Sequence, residues 1–463
     1  MSEPLTLDQK VVHFLNRTSF GPTPETIARA RKIGIPAFLE EQLNPDRISD
    51  AEVEERISGL KTIRLTSEEL IRLYPPAAAQ QRQAGMEAMQ GPRVVIFELQ
   101  QARLLRAVHS RRQLYEVMVD FWTNHFNIFA AKGANRWMTT AYDRDTIRPR
   151  ALGRFRDLLL ATAQSPAMLF YLDNWLSVGP DAPAARQGNR LRRGLNENYA
   201  RELMELHTLG VDGGYTQSDV QEVARCFTGW TVRRPRGEAA FVFNPRMHDP
   251  GEKNVLGLRI PPGGGINDGM KVIDLLAGHP ATARLIALKL ARRFVSDRPP
   301  PSLVDRTAEA FRRSDGDIPA VLRAIFDSPE FYSPENYRAK IKKPLEFVAS
   351  ALRATGADAQ ISRPLLSYLA RMGEPLFLAQ PPTGFSDVGD SWISADTLLA
   401  RTNFAADLAA GRLPGARVEI DPAELARRIA PEGLSAATRA VLSGVGATHR
   451  TALLLASPEF QRR

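Results

Sequence analysis

The stretch Asn196-Glu197-Asn198-Tyr199-Ala200-Arg201-Glu202-Leu203-Met204-Glu205-Leu206-His207-Thr208-Leu209-Gly210 decides the fold. Asn196 can cap a helix over 197–209. Tyr199, Leu203 and Leu206 line one face at helical spacing, and Gly210 stands just past the end. The next segment repeats this punctuation: Thr216 and Asp219 have capping-box spacing for a helix over 217–228, with Gly229 at its exit. Further out, Leu158–Ala161, Val272–Leu276 and Leu285–Leu290 keep apolar residues three and four apart. Residues 8–45 read as two short helices joined at 20–24, with Thr23 as cap and Pro24 at the first helical position. Residues 94–130 read as one long helical pattern. Only 230–262 changes character: Phe241-Val242-Phe243 and Val255–Ile260 have strand composition, with the turn cluster Met247–Gly251 between them. The fold class is therefore mainly α, a multi-helix globular body with a small β-hairpin or flap near 240–260.

Composition narrows the function classes. The chain has 463 residues, 43% hydrophobic and 24% charged, which are globular values. The organisation read from punctuation is an N-terminal helical segment 1–74, a linker or arm 75–93, a core 94–300 and a C-terminal helical segment 301–463. One cysteine, Cys226, excludes an intrachain disulfide and reads as a core thiol. The net charge of +9 rests on ten lysines and 51 arginines, but acidic residues alternate with them. That dispersion argues against nucleic acid, which needs a basic stripe. The densest basic patches are Arg186–Arg193 and Arg233–Arg236. No run approaches 18 apolar residues, so no membrane span is expected. The N-terminus shows no secretory signal, and the expected address is cytoplasmic.

Three places carry candidate chemistry. His125 sits between Asn124 and Asn127 among Phe121, Trp122, Phe126 and Phe129. Polar groups inside aromatics are costly unless satisfied, so the reading is an acid/base or metal-ligating histidine in a closed pocket lined by Trp122, Asn124 and Asn127. On the helix 197–209, Asn198, Glu202 and Glu205 share an arc, while His207 points elsewhere. The bland reading there is Arg201 pairing with Glu197 and Glu205, and His207 as a cation at the helix end. His248-Asp249 lies in the turn-rich flap, where it either approaches the site or forms an exposed Asp-Pro turn. His13, His279 and His449 read as cap or surface histidines. Phosphate-loop, dinucleotide and nucleophile-elbow motifs are absent from the sequence.

Several long motifs occur in order: His13–Thr23, Asp120–Asn127, Asn196–Gly210, Gly213–Thr216 running to Thr228–Thr231, Gly373-Glu374-Pro375-Leu376-Phe377, and Leu399–Ala405. On these the chain resembles the bacterial family called domain of unknown function 1800, over nearly its whole length. The resemblance implies a largely helical fold and no settled activity.

The candidate residues support two functional expectations. The first is an enzyme in which His125, Glu202, Glu205 and His248 bind a divalent metal such as Zn, Mn or Fe, with Asp249 beside them and Asn198 and His207 lining the pocket, for hydrolysis or oxidation. The second is a non-catalytic protein that binds a small molecule or a protein partner in an Arg- and aromatic-rich groove.

Overall fold

The Pro24–Ile33 helix shows how literally the local signals are obeyed. Thr23 accepts from the Thr26 N–H, Thr26 returns the bond, Pro24 opens the first turn, and Gly34 at φ +83° closes it. The computed structural model describes residues 3–76, 91–185, 194–358 and 360–463. Residues 77–90 of the expected 75–93 arm and the whole Arg186–Arg193 patch lie outside the described residues.

Helices dominate those residues, and the only sheets among them are two small antiparallel pairs. The fold is therefore mainly α, as the punctuation implied. Gly34 also divides 8–45 into three helices rather than two, because Ile35–Gln42 starts afresh after it. The expected long helix over 94–130 is likewise two, Arg93–His109 and Gln113–His125, broken at Ser110.

The β region differs from the single expected hairpin. Strand β1 (Trp230–Arg233) pairs with β2 (Ala240–Phe243), so that Trp230 faces Phe243. Strand β3 (Lys253–Val255) pairs separately with β4 (Leu258–Ile260), turning at Leu256-Gly257, both in the left-handed region. Phe241–Phe243 thus pairs backward in sequence, because Trp230 and Phe227 supply the aromatic surface that Phe241 needs.

One connected apolar core runs from Val11 to Phe460 and draws on all three helical segments. At its centre Trp122 is fully buried, and its indole N–H donates to the Ala151 carbonyl at 3.0 Å. Cys226 is buried as a core thiol, and burial pushes it up to about 12. His13 is corrected from a cap or surface residue: it is buried, and its Nε2–H donates to the Phe331 carbonyl at 2.8 Å. His279 does cap the Pro280–Phe294 helix, and His449 is exposed. No helix among the described residues is long and apolar enough to cross a membrane.

Candidate functional site

The Gln113–His125 helix carries two different faces. Phe121, Trp122 and His125 turn into the core, whereas Asp120, Thr123, Asn124 and Asn127 recur at i, i+3, i+4 and i+7. That polar stripe lines a cavity of about 40 Å³. Its other walls are Arg103 from the Arg93–His109 helix, Lys343 from the start of the Pro344–Thr355 helix, and the segment bearing Glu374, Phe377 and Phe385. Two of the sequence motifs, Asp120–Asn127 and Gly373–Phe377, therefore meet here across some 250 residues.

The asparagines hold the cover rather than a ligand. Asn124 accepts from the Phe385 N–H at 2.7 Å and donates to the Phe385 carbonyl at 2.9 Å. Asn127 donates to the Ala379 and Pro381 carbonyls at 3.0 and 2.8 Å. Tyr171 adds a bond to the Gln380 carbonyl. Gly384, at φ +69°, packs so closely that a Cβ there would lie 2.5 Å from the Asn124 side-chain oxygen.

The titratable groups are unequal. Glu374 is buried, and one carboxylate oxygen accepts the Leu345 N–H at 2.7 Å. Burial and the neighbouring Asp120 carboxylate push it up to about 8, against the pull of Lys343 and that N–H. No hydrogen bond among the described residues reaches the Asp120 carboxylate; Arg103 Nη1 stands 3.8 Å away. Arg103 is itself buried, donating to Asp143 at 2.6 Å and to Thr123 at 2.8 Å, which leaves Nη1 without a hydrogen-bond partner among the described residues. Its guanidinium lies 5.1 Å from the Phe377 ring centroid, and Phe377 holds φ +63°. A left-handed phenylalanine is strained backbone, which persists only where its surroundings over-determine it.

His125 faces away from this cavity. Its Nε2–H donates to the His207 carbonyl at 3.1 Å, so Nδ1 is the bare nitrogen, without a partner among the described residues. Burial, then Lys289 and His207, hold it well below the ordinary histidine value. His207 is buried too, and burial with Lys289 lowers it to about 3. It is therefore a neutral ring, not the helix-end cation the sequence suggested.

The segment carrying Glu202 and Glu205 is not one straight helix. Asn198–Glu202 is α-helical and Leu203–Thr208 widens into a π turn, with the Leu209 N–H donating to the Met204 carbonyl five residues back at 2.7 Å. Asn196 still accepts from the Asn198 N–H at 2.8 Å, and Asn198 donates to the Leu172 carbonyl at 3.4 Å. Glu202 is half-buried, and burial together with Glu205 raises it. Glu205 meets the Tyr215 hydroxyl at 3.4 Å, and Arg201 pairs with Glu197 rather than with Glu205.

His248 and Asp249 belong to a third cluster. His248 contacts the Thr228 carbonyl at 2.8 Å and Asp268 at 3.1 Å. Asp249 is gripped at 3.1 and 3.0 Å by Arg225. Lys253 Nζ, fully buried, lies between Asp268 at 2.7 Å and the Asp249 carbonyl. Neither residue is the exposed turn of the bland reading. The cluster ties the β3–β4 ribbon to the Gln217–Cys226 helix and Asp268.

His125, the neighbouring pair Glu202 and Glu205, and His248 thus contact different groups. No group of three or more His, Cys, Asp or Glu side chains among the described residues is arranged to hold a metal ion.

Residues 13–462 match the family described as a protein of unknown function, DUF1800. The chain belongs to that family. No curated protein and no solved structure matches it. The DUF1800 motifs of the sequence include walls of the cavity, but sequence reasoning alone does not mark Glu374, Asp120, Lys343 and Arg103 as site residues. Asp120 is legible as the start of a polar stripe on an apolar helix. Glu374 is legible only as the acid of the Gly373–Phe377 motif.

Proposed function

We propose that this DUF1800 protein is an acid–base enzyme whose site is the cavity beneath residues 379–385. The observation that carries the reading is Glu374, a buried carboxyl pushed up to about 8 beside Asp120. A carboxylic acid that keeps its proton near neutral pH is suited to protonating a leaving group. Asp120 serves as the carboxylate that accepts a proton or orients water, which makes hydrolysis the reaction class. Lys343 and the free Nη1 of Arg103 stabilise developing negative charge on the substrate oxygen. At about 40 Å³ the cavity admits the reacting group alone, and the rest of the substrate lies outside it. His125 acts as a positioning residue, holding the π-turn segment to the helix that bears Asp120.

Infrared difference spectroscopy tests the core of this. A protonated-carboxyl band should persist at pH 6.5 and vanish in Glu374→Gln. No such band in the wild type overturns the reading. A panel of ester, amide and glycoside substrates then identifies the reaction, with Glu374→Gln and Asp120→Asn as inactive controls.

A non-catalytic binding role is favoured by one other observation, a groove of about 660 Å³ whose walls include Arg29, Arg56, Arg111, Arg353 and Arg428. Glu25, Glu41, Glu52 and Asp358 stand among these arginines, so the groove suits a polar ligand of mixed charge.

A further inference from the structure

Lys343 has a second outlook. Beyond the Glu374 cavity it lines a smaller one of about 10 Å³, walled also by Arg293, Lys340, Asp387, Trp392 and Arg463. Arg293, Lys340, Trp392 and Arg463 each expose 5% or less of their surface. Arg17, fully buried, adds its charge beside them and meets the Asn336 carbonyl rather than a carboxylate.

The carboxylates paired with these cations among the described residues are Glu346, Asp297 and Asp387. Glu346 is divided between Arg293 and Arg463, Asp297 takes Lys340, and Asp387 is shared by Lys343 and Lys289. Cations therefore outnumber anions in a place where each uncompensated charge is expensive. The unsatisfied groups are all of one kind. Arg293 Nε and Nη2 and Trp392 Nε1 are buried donors without partners among the described residues, and both side chains line the cavity. The Asp387 wall is already taken by Lys289 and Lys343, so the groups left open are donors, and an anion answers them where a water would bring donors of its own. At about 10 Å³ the cavity has room for one small ion and none for a phosphate or a carboxylate.

We infer that Arg293, Lys340, Arg463 and the Trp392 indole form a buried site for a single-atom anion, chloride under ordinary conditions. The ion would hold together the Pro280–Phe294 helix, the 340–343 segment, the 389–392 turn and the last residues of the chain. This inference does not depend on the acid–base reading, because it needs neither Glu374 nor Asp120.

Thermal unfolding of the whole chain in sodium chloride, with gluconate as the replacement anion at constant ionic strength, reads the site directly. A saturable rise in Tm of about 2–4 °C is expected, reproduced by bromide. Arg293→Gln should abolish the halide dependence. Because that variant also breaks a pair with Glu346, crystals of wild-type protein grown in bromide give a second reading. The anomalous peak should lie between Arg293, Lys340, Trp392 and Arg463. Equal melting in chloride and gluconate overturns the inference, and so does bromide found only elsewhere.

Discussion

Glu346 and Glu374 are both buried acids that meet the first turn of the same helix, Pro344–Thr355. Glu346 accepts the Lys343 N–H at 2.9 Å and Glu374 the Leu345 N–H at 2.7 Å. Burial alone would raise both. At Glu346 the guanidiniums of Arg293 and Arg463 overcome it and hold the carboxyl far below its ordinary range. At Glu374 the strongest charge influence is another carboxylate, Asp120, which outweighs Lys343 and adds to burial. Equivalent helix-end contacts thus give an ion on one side and a neutral acid on the other. The helix end is worth at most ~1–2 kcal/mol, whereas a like or opposite charge at close range in a dry site is worth more, so the neighbour decides.

The sharpest way to break this contrast is to remove charge at each position in turn. Glu346→Gln leaves Arg293 and Arg463 buried without their anion and should destabilise by about 3–5 kcal/mol in chemical denaturation. Near pH 4, where the folded and most of the unfolded chain hold the Glu374 proton, Glu374→Gln replaces a neutral acid with a neutral amide and should cost about 1 kcal/mol or less. Equal costs would mean that Glu374 is ionised and that the acid–base reading is wrong.

Trp122→Ala tests the scaffold behind Asp120. It removes a fully buried indole and its bond to Ala151, and should cost about 3–5 kcal/mol. A change below about 0.5 kcal/mol would place this side chain outside the core.

The pH dependence separates the two acids by sign. Glu374 keeps its proton in the fold up to about 8, while the unfolded chain releases it near 4.5. Its stabilising contribution is complete below 4.5 and is lost as pH rises from there to 8. Glu346 does the reverse: its contribution is present above the ordinary carboxyl range and is lost as pH falls beneath it. Stability measured across pH 4.5–8 should therefore decline, by up to about 5 kcal/mol from this group, and Glu374→Gln should flatten that limb alone. An unchanged slope in the variant would assign the proton to another residue.

Much of the fold was legible because helix caps are local. Thr23 with Pro24 and Thr216 with Asp219 announce their helices within four residues. The strand pairing was not, because Phe241 chooses its partner by a tertiary aromatic surface. The site was legible only in part. Asn124 and Asn127 do line the cavity, yet they bind the backbone of 379–385, a segment no local rule could place beside them. His125 drew attention through its aromatic shell, and it is that shell which takes it into the core, beside His207. The straight helix read over 197–209 is interrupted at Leu203–Thr208, where a π turn adds a residue that no local signal announced.

The cover over the cavity gives a smaller effect. Gly384→Ala forces a Cβ against Asn124 at a positive φ, and about 1–3 kcal/mol of destabilisation is expected. The more telling readout is the Glu374 infrared band, which should shift or titrate earlier as water enters. A band identical to wild type would show that the 379–385 segment does not seal the cavity.

The smallest effect is expected at Glu202, and it sharpens the contrast most cheaply. Glu202 is half-buried beside Glu205, raised by burial and by that like charge, with Arg201 as the opposing influence. Arg201 is committed to Glu197 and Gln217, so Glu202 lacks the enclosing cations of Glu346. It is also open enough to water to escape the full desolvation felt by Glu374. Removing its charge takes away a mild repulsion and no strong bond, so Glu202→Gln should change stability by less than about 0.5 kcal/mol, with a slight gain the expected sign. A loss above about 2 kcal/mol would mean that the carboxylate holds a partner of its own, and a bound cation shared with Glu205 would then return as the explanation to test by metal analysis.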